Sequence, residues 1–339
     1  MGGKVRNTLK TLPPFFFLII ILIFFFNNIG YSFKPEVLKV LVKNYKKEHL
    51  IFPIGVKVNP KNYLFYVIEG GRNEITVYDL NFLPIFFLGK GRGVDNPVAM
   101  DIDSNGTIYV LQQAYYGKPD RISIFDSIGI LEKEIYLNSP QYQGIHPSSL
   151  CVLGNKIYLV GRTFPGILVL DKKTGKVLKK ITIKDEVQGF PIQVSFSDVY
   201  KDTNKRLYFL SEDAGRFYVY DKDGNFLFKG GKKGGRYGQL SRPKGIAASP
   251  SLSIIVVIDY MRHTGLVYDY NTGKFLGEFG GEGWSPGWFA GPRDVDIDAQ
   301  GRIYVVDSFN RRVQVLILTA GKTKGVWSPT FVTPLQPVK

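Results

Sequence analysis

The stretch Gly301-Arg-Ile-Tyr-Val-Val-Asp-Ser-Phe-Asn-Arg-Arg-Val-Gln-Val315 decides the fold. Gly301 offers the positive φ of a tight turn, and Ile303-Tyr-Val-Val306 is a short apolar run suited to a strand buried on both faces. Asp307 to Asn310 is a polar loop, and Arg312-Val-Gln-Val315 alternates as a second strand does. A unit this small cannot bury its own faces, so it should recur.

It recurs six times. A proline precedes each copy: Pro53, Pro97, Pro147, Pro191, Pro243 and Pro292. The apolar strands that follow centre on Tyr66, Tyr109, Tyr158, Tyr208, Val256 and Tyr304. Five third strands close on an acid, Asp79, Asp126, Asp171, Asp221 and Asp269, and the sixth ends at Leu316. Successive closing positions lie 47, 45, 50, 48 and 47 residues apart, room for four short strands and their turns. Turn triplets such as Ser104-Asn-Gly106 and Lys222-Asp-Gly224 fall where hairpins need them. The fold expected is all-β: a six-bladed β-propeller of four-stranded antiparallel blades. The sixth unit lacks an outer strand, and Glu36-Val-Leu-Lys-Val-Leu-Val42 is expected to supply it, closing the ring and removing exposed edges.

Three regions follow: a leader over 1–32, the propeller over 33–319 and a Pro-rich tail over 320–339. The leader carries Lys4, Arg6 and Lys10 and then an unbroken apolar run, Phe15 to Phe26. That is the pattern of a signal peptide, cut after Ser32 to leave Phe33 first, or of an uncleaved anchor that keeps the chain on the membrane. Both readings export the propeller across the cytoplasmic membrane, to a periplasmic, extracellular or anchored cell-envelope location. The single cysteine, Cys151, excludes an internal disulfide and sits in an apolar run as a small hydrophobe.

The last two units resemble the NHL repeat. The resemblance rests on Gly301 to Val315 and on Gly234-Gly-Arg-Tyr-Gly-Gln-Leu-Ser-Arg-Pro-Lys-Gly-Ile-Ala247, the Gly-rich lead into a Pro-containing first strand. The first four units are degenerate: Glu69, Gln112, Gly161 and Ser211 stand where the sixth has Asp307. The resemblance implies the fold, and a structural pairing of Asp307 with Arg312. Its members include RNA-binding modules, protein-binding platforms and a metal-dependent lyase group with a histidine directly after the strand-opening proline. Here those residues are Ile54, Val98, Ser148, Ile192, Lys244 and Arg293, none of them histidine. The three histidines, His49, His146 and His263, lie elsewhere.

No nucleophile elbow or P-loop is present; Gly230-Gly-Lys-Lys-Gly-Gly235 lacks the Gly-Lys-Ser/Thr ending. The innermost strands offer Asp101, Gln193 and Asp294 as channel candidates for a metal, too few oxygens for calcium without waters or carbonyls. The net charge of +15 directs attention to anionic partners. In a propeller, the loops leading into each first strand share a face with those between strands two and three. On blades four to six these loops hold Lys232, Lys233, Arg236, Tyr237, Arg242, Arg262, His263, Trp284, Trp288 and Arg311. Cations beside exposed rings favour recognition. The expectation is a non-enzymatic binding or scaffold propeller, without cofactor, that holds an envelope protein or an anionic polysaccharide. Export disfavours nucleic acid. The alternative is a metal-dependent lyase or hydrolase using calcium or zinc in the central channel.

Overall fold

The structure, a computed structural model, describes residues 31–320. The expected leader up to residue 30 and the expected tail from residue 321 lie outside the described residues. Strand β1 (Tyr31–Leu41) comes first. Blade one is β2–β5 (Pro53–Val58, Phe65–Glu69, Glu74–Tyr78, Pro84–Leu88), and blade two is β6–β9 (Pro97–Ile102, Ile108–Gln112, Arg121–Phe125, Leu131–Tyr136). Blade three is β10–β13 (Pro147–Leu153, Lys156–Gly161, Ile167–Asp171, Val177–Ile181). A hairpin, β14–β15 (Lys184–Val187, Phe190–Gln193), precedes blade four, β16–β19 (Asp198–Lys201, Leu207–Ser211, Arg216–Tyr220, Phe226–Gly230). Blade five is β20–β23 (Pro243–Ser249, Ile254–Asp259, Thr264–Asp269, Phe275–Gly280), and β24–β26 (Pro292–Ile297, Ile303–Asp307, Arg312–Ala320) begin blade six. Each blade is an antiparallel meander in sequence order.

Apart from Lys156 at the start of β11, the second strands are buried along their whole length, because each is packed against a neighbouring blade on both faces. Between blades six and one, the Phe65 ring stacks on Tyr78 at 4.9 Å and meets Tyr304 at 5.1 Å. Such rings each contribute roughly 1.5–3 kcal/mol by leaving water.

The ring closes as expected. β1 pairs antiparallel with β26, from Phe33 opposite Ala320 to Leu41 opposite Val313. It starts earlier than the alternation at Glu36 suggests, and Tyr31 and Ser32 pair parallel with Gly277 and Glu278 of β23. β1 thus supplies the fourth strand of blade six and ties its rim to blade five.

One proline is out of place. Pro191 was expected to open blade four but lies in the β14–β15 hairpin, opposite Glu186. The inner strand of blade four is β16, with Asp198 opposite Leu210. Spacing is the reason: Pro191 stands 17 residues before Tyr208, whereas in the other blades that gap is 11 to 13. The surplus residues form the hairpin, and the strand starts without a proline.

A chain beginning at Val42 should expose the edge of β26 and self-associate through it. Light scattering after size exclusion checks this; an unchanged monomer would show that β1 is not the latch.

Candidate functional site

Six inner strands surround the axis, and pairing registers set which side chains share a level. Gly55, Ala99, Ser149, Asp198, Gly245 and Asp294 stand at one level, each opposite the next-to-last residue of its second strand or that residue's counterpart. Two residues on, Lys57, Asp101, Cys151, Tyr200, Ala247 and Asp296 make the next level. An inner strand has no strand beyond it, so its outward amides need other acceptors. Carboxylates from the preceding blade provide them. Val152 N–H donates to Asp101 Oδ2 at 2.7 Å, and Ile246 N–H to Asp198 Oδ2 at 3.1 Å. Val56 and Val58 N–H donate to Asp294 Oδ2 and Asp296 Oδ2, both at 2.8 Å. Even-numbered blades therefore staple the odd-numbered blades that follow. Gly245 has to be glycine, since a Cβ there would lie 2.7 Å from Asp294 Cα.

Lys57 sits between these acids, with Nζ 3.3 Å from Asp101 and 3.8 Å from Asp296, and 4.6 Å above the Tyr200 ring. Lys201 Nζ also donates to Asp101 Oδ2. Burial opposes the Lys57 charge, but Asp296, Asp101 and Asp294 outweigh it and raise its pKa above the ordinary lysine value. Burial also opposes the Asp101 charge, and there Lys201 and Lys57 win and hold its carboxyl below the ordinary range. Asp294 goes the other way: burial, with Asp198 adding repulsion, pushes its carboxyl well above that range. Burial raises Asp198 and Asp296 as well. Cys151 is buried at this level, and burial pushes its thiol up, in keeping with a small hydrophobe.

The Lys57–Tyr200 contact divides the channel into two cavities, each lined from all six blades. The one under the first-strand lead-in loops measures 360 Å³, and the one at the opposite mouth 810 Å³. Of the three channel candidates for a metal, Asp101 and Asp294 do face the axis. Gln193 does not: it lies exposed in the hairpin, opposite Lys184, a consequence of the displaced Pro191. Among the described residues, no three His, Cys, Asp or Glu side chains converge as a metal-binding set. The sequence reading missed Lys57, Asp198, Tyr200, Lys201 and Asp296. Alternation along Asp294-Val-Asp296 was the available signal, and no proline marks where β16 begins.

The basic, aromatic loops divide into tied and untied members. Lys233 Nζ donates to the Glu212 and Ser241 carbonyls at 2.7 and 2.8 Å. Arg242 meets Glu212 at 2.8 Å. Arg262 grips both oxygens of Glu278 at 2.7 Å and the Gln239 carbonyl at 2.9 Å. His263 Nδ1 accepts the Gly291 N–H at 2.9 Å, and the Tyr237 ring packs edge-on to Phe275 at 5.2 Å. Phe289 is wholly buried, whereas Trp284 is 83% and Trp288 49% exposed. Lys232, Arg236 and Arg311 are exposed, and among the described residues their side chains have no hydrogen-bond or ion-pair partner.

The Asp307–Arg312 pair is structural. Arg312 Nε bonds Asp307 Oδ2 at 2.6 Å, its other nitrogens hold the carbonyls of Trp284, Ser285 and Trp288, and Ala290 N–H donates to Asp307 Oδ1. The pair therefore fixes the loop that presents Trp284. Glu69, Gln112 and Asp259 accept lead-in loop amides in the same way. At Gly161 no side chain fits, since a Cβ would meet the His146 carbonyl at 2.4 Å.

The NHL repeat family model matches residues 289–316, from the buried Phe289 to the third strand of blade six. No curated protein matches the chain. An auxiliary nutrient binding protein from Bacteroides ovatus ATCC 8483 is similar in structure at 15% identity and TM-score 0.62, over 85% of this chain and 77% of that one. A second auxiliary nutrient binding protein, from Bacteroides thetaiotaomicron VPI-5482, is 11% identical with TM-score 0.61, over 83% of this chain and 73% of that one. Virginiamycin B lyase from Staphylococcus aureus is 14% identical with TM-score 0.58, over 85% of this chain and 100% of that one. At these identities the likeness is one of fold.

The charge network on the axis sets two expectations. Asp101→Asn strands Lys57 and Lys201 in a buried site and should lose about 3–5 kcal/mol by urea unfolding; a smaller loss than in Asp294→Asn would reverse the roles assigned to the two acids. The folded-state pKa of Asp294 lies above its unfolded value. The stabilisation it contributes is thus present below the unfolded value and lost as pH rises through the folded one. As pH rises from about 4, the ordinary aspartate value, the Tm of Asp294→Asn should rise relative to wild type.

Proposed function

The chain is a six-bladed β-propeller carrying an NHL repeat in its closing blade, and on that scaffold we propose an exported binding protein that holds a polyanion through the loops of blades four to six. The polyanion is an anionic polysaccharide or an acidic envelope protein. The observation that carries this reading is Trp284, 83% exposed on a loop locked by Arg312, on the same face as the untied cations Lys232, Arg236 and Arg311. An exposed indole on a rigid loop loses little side-chain entropy on binding, and its face suits a sugar ring or an apolar side chain. The cations add long-range attraction for an acidic chain. Tying Arg262, Lys233 and Arg242 into Glu278, Glu212 and backbone carbonyls keeps the loops in place without using up the untied charges. Two solved neighbours are described as auxiliary nutrient binding proteins, which agrees with a binding role. Export rests on the basic start and apolar run of the leader.

The test is retention of the full chain, in mild detergent, on immobilised polygalacturonate, polyglutamate and uncharged dextran. Wild type should be held by one or both anionic matrices at low salt, released by added salt and not held by dextran. Lys232→Glu, Arg236→Glu and Arg311→Glu together should weaken retention by on the order of tenfold or more, and Trp284→Ala by a similar factor. Retention unchanged in both variants would sink the proposal. Preference between the two anionic matrices identifies the partner class.

A further inference from the structure

The 360 Å³ cavity on the face of the lead-in loops holds an electrostatic imbalance that folding alone does not explain. Arg293 and Lys244 enter it from the residue after the strand-opening prolines of blades six and five, and Arg162 from the loop after the second strand of blade three. Arg293 is half-buried, its guanidinium 4.6 Å above the Phe52 ring and 5.2 Å from that of Tyr260. Its Nε is buried without a hydrogen-bond partner. Arg162 is exposed, and its side chain has no hydrogen-bond or ion-pair partner among the described residues. Lys244 does have one, Glu212 Oε2 at 2.5 Å, which Glu212 shares with Arg242. Burial lowers the pKa of both Lys244 and Arg293, and repulsion from Arg162 lowers both further. Three cations from three blades thus converge on one cavity, where Glu212 pairs with Lys244 and the deeper lining adds Lys57, Asp198 and Asp294.

Burial pushes the carboxyls of the floor acids, Asp198 and Asp294, above the ordinary range, towards their uncharged forms. Both oxygens of Asp198 and both of Asp294 already accept bonds from Ser149 Oγ or strand amides. On blades one and two the lining is mainly apolar, with Ile54, Ile68, Val98 and Met100 beside Lys57, Asn96 and Gln113. A cavity with a cationic side and an apolar side, of a volume at the lower end of small-molecule sites, fits a small amphipathic ligand.

We propose that this channel mouth binds a small organic anion, with its carboxylate or phosphate head on Arg293, Lys244 and Arg162 and its apolar body against blades one and two. The planar guanidinium of Arg293, held over two rings, is positioned before the ligand arrives. The site is separate from the outer loops that carry Trp284 and stands whether or not those loops bind a polymer.

Calorimetric titration of the full chain in mild detergent, with benzoate, phenyl phosphate, inorganic phosphate and benzyl alcohol as probes, tests the proposal. Benzoate or phenyl phosphate should bind more tightly than inorganic phosphate, and benzyl alcohol should not bind. The tighter of the two aromatic anions names the head group. Arg293→Gln and Lys244→Gln should each weaken it at least about tenfold. Arg162→Gln, at an exposed loop position that no fold contact depends on, should weaken it several-fold while melting as wild type does. Lys232→Glu with Arg236→Glu should leave this binding unchanged even where it abolishes retention on polyanions. No binding of either aromatic anion, benzyl alcohol binding equally well, or Arg162→Gln binding as wild type does would overturn the proposal.

Discussion

Six β-strands that meet around an axis each present an edge with no strand beyond it, and the rest of this structure is arranged around satisfying those edges. An unpaired buried amide loses about as much as a broken hydrogen bond, so a ring that left six such edges dry would not hold. Here aspartates of the even-numbered blades reach across to the amides of the odd-numbered ones: Asp101 to Val152, Asp198 to Ile246, Asp294 and Asp296 to Val56 and Val58. Acceptors of this kind bring charge into a narrow space. Lys57 and Lys201 neutralise part of it around Asp101, and burial pushes Asp294, Asp198 and Asp296 towards their protonated forms. The acids that invite a metal-centre reading from the sequence are thus engaged as junctions between blades.

The same logic operates at the loop face, one layer out. In blades one, two, five and six an acid or amide at the end of the second strand accepts amides of the lead-in loop, and in blade six Arg312 at the head of the third strand fastens that loop's carbonyls. Blade four shows how the motif survives loss of its acid. Ser211 stands in the acid's place, and Arg216 turns to Asp185 of the inserted hairpin at 2.6 Å. Burial opposes the charge on Asp185, but Lys229, Tyr218 and Arg216 together hold its carboxyl below the ordinary range. The insertion therefore carries the acid that its own blade lacks.

This division explains what could be read from the sequence. Repeats were legible because every blade repeats the apolar strand and turn and five of the six open on a proline, and closure was legible because β26 had no partner in its own unit. The start of blade four was not, since Pro191 carries the same local preference in a hairpin as at a strand entry. Only the longer gap to Tyr208 distinguishes the two. Gln193 was carried off the axis with it. Lys57, Asp198 and Tyr200 were missed for a different reason: their partners lie on other blades, and Val56 and Asp294 are 238 residues apart. Periodicity says that a residue faces the axis but not what it meets there. On the loop face, Arg262 and Arg236 look alike in sequence, and the nearby Glu278 alone separates a tied cation from an untied one.

Structural demand and surplus can therefore be separated residue by residue. Where a cation's charge is matched by an acid or by carbonyls, as in Arg312, Arg262 and Arg121, the fold already accounts for it. Other exposed lysines, such as Lys90, Lys156, Lys173 and Lys205, also lack an acid partner among the described residues, but the unmatched cations that stand beside aromatic rings are grouped. They gather on one face, on the outer loops around Trp284 and at the channel mouth around Arg293. Like charges brought together oppose folding, and neither group is needed to satisfy an amide or close a junction. The axis is neutralised within the fold, whereas these cations are left over on one face, and both proposed binding sites are placed there for that reason.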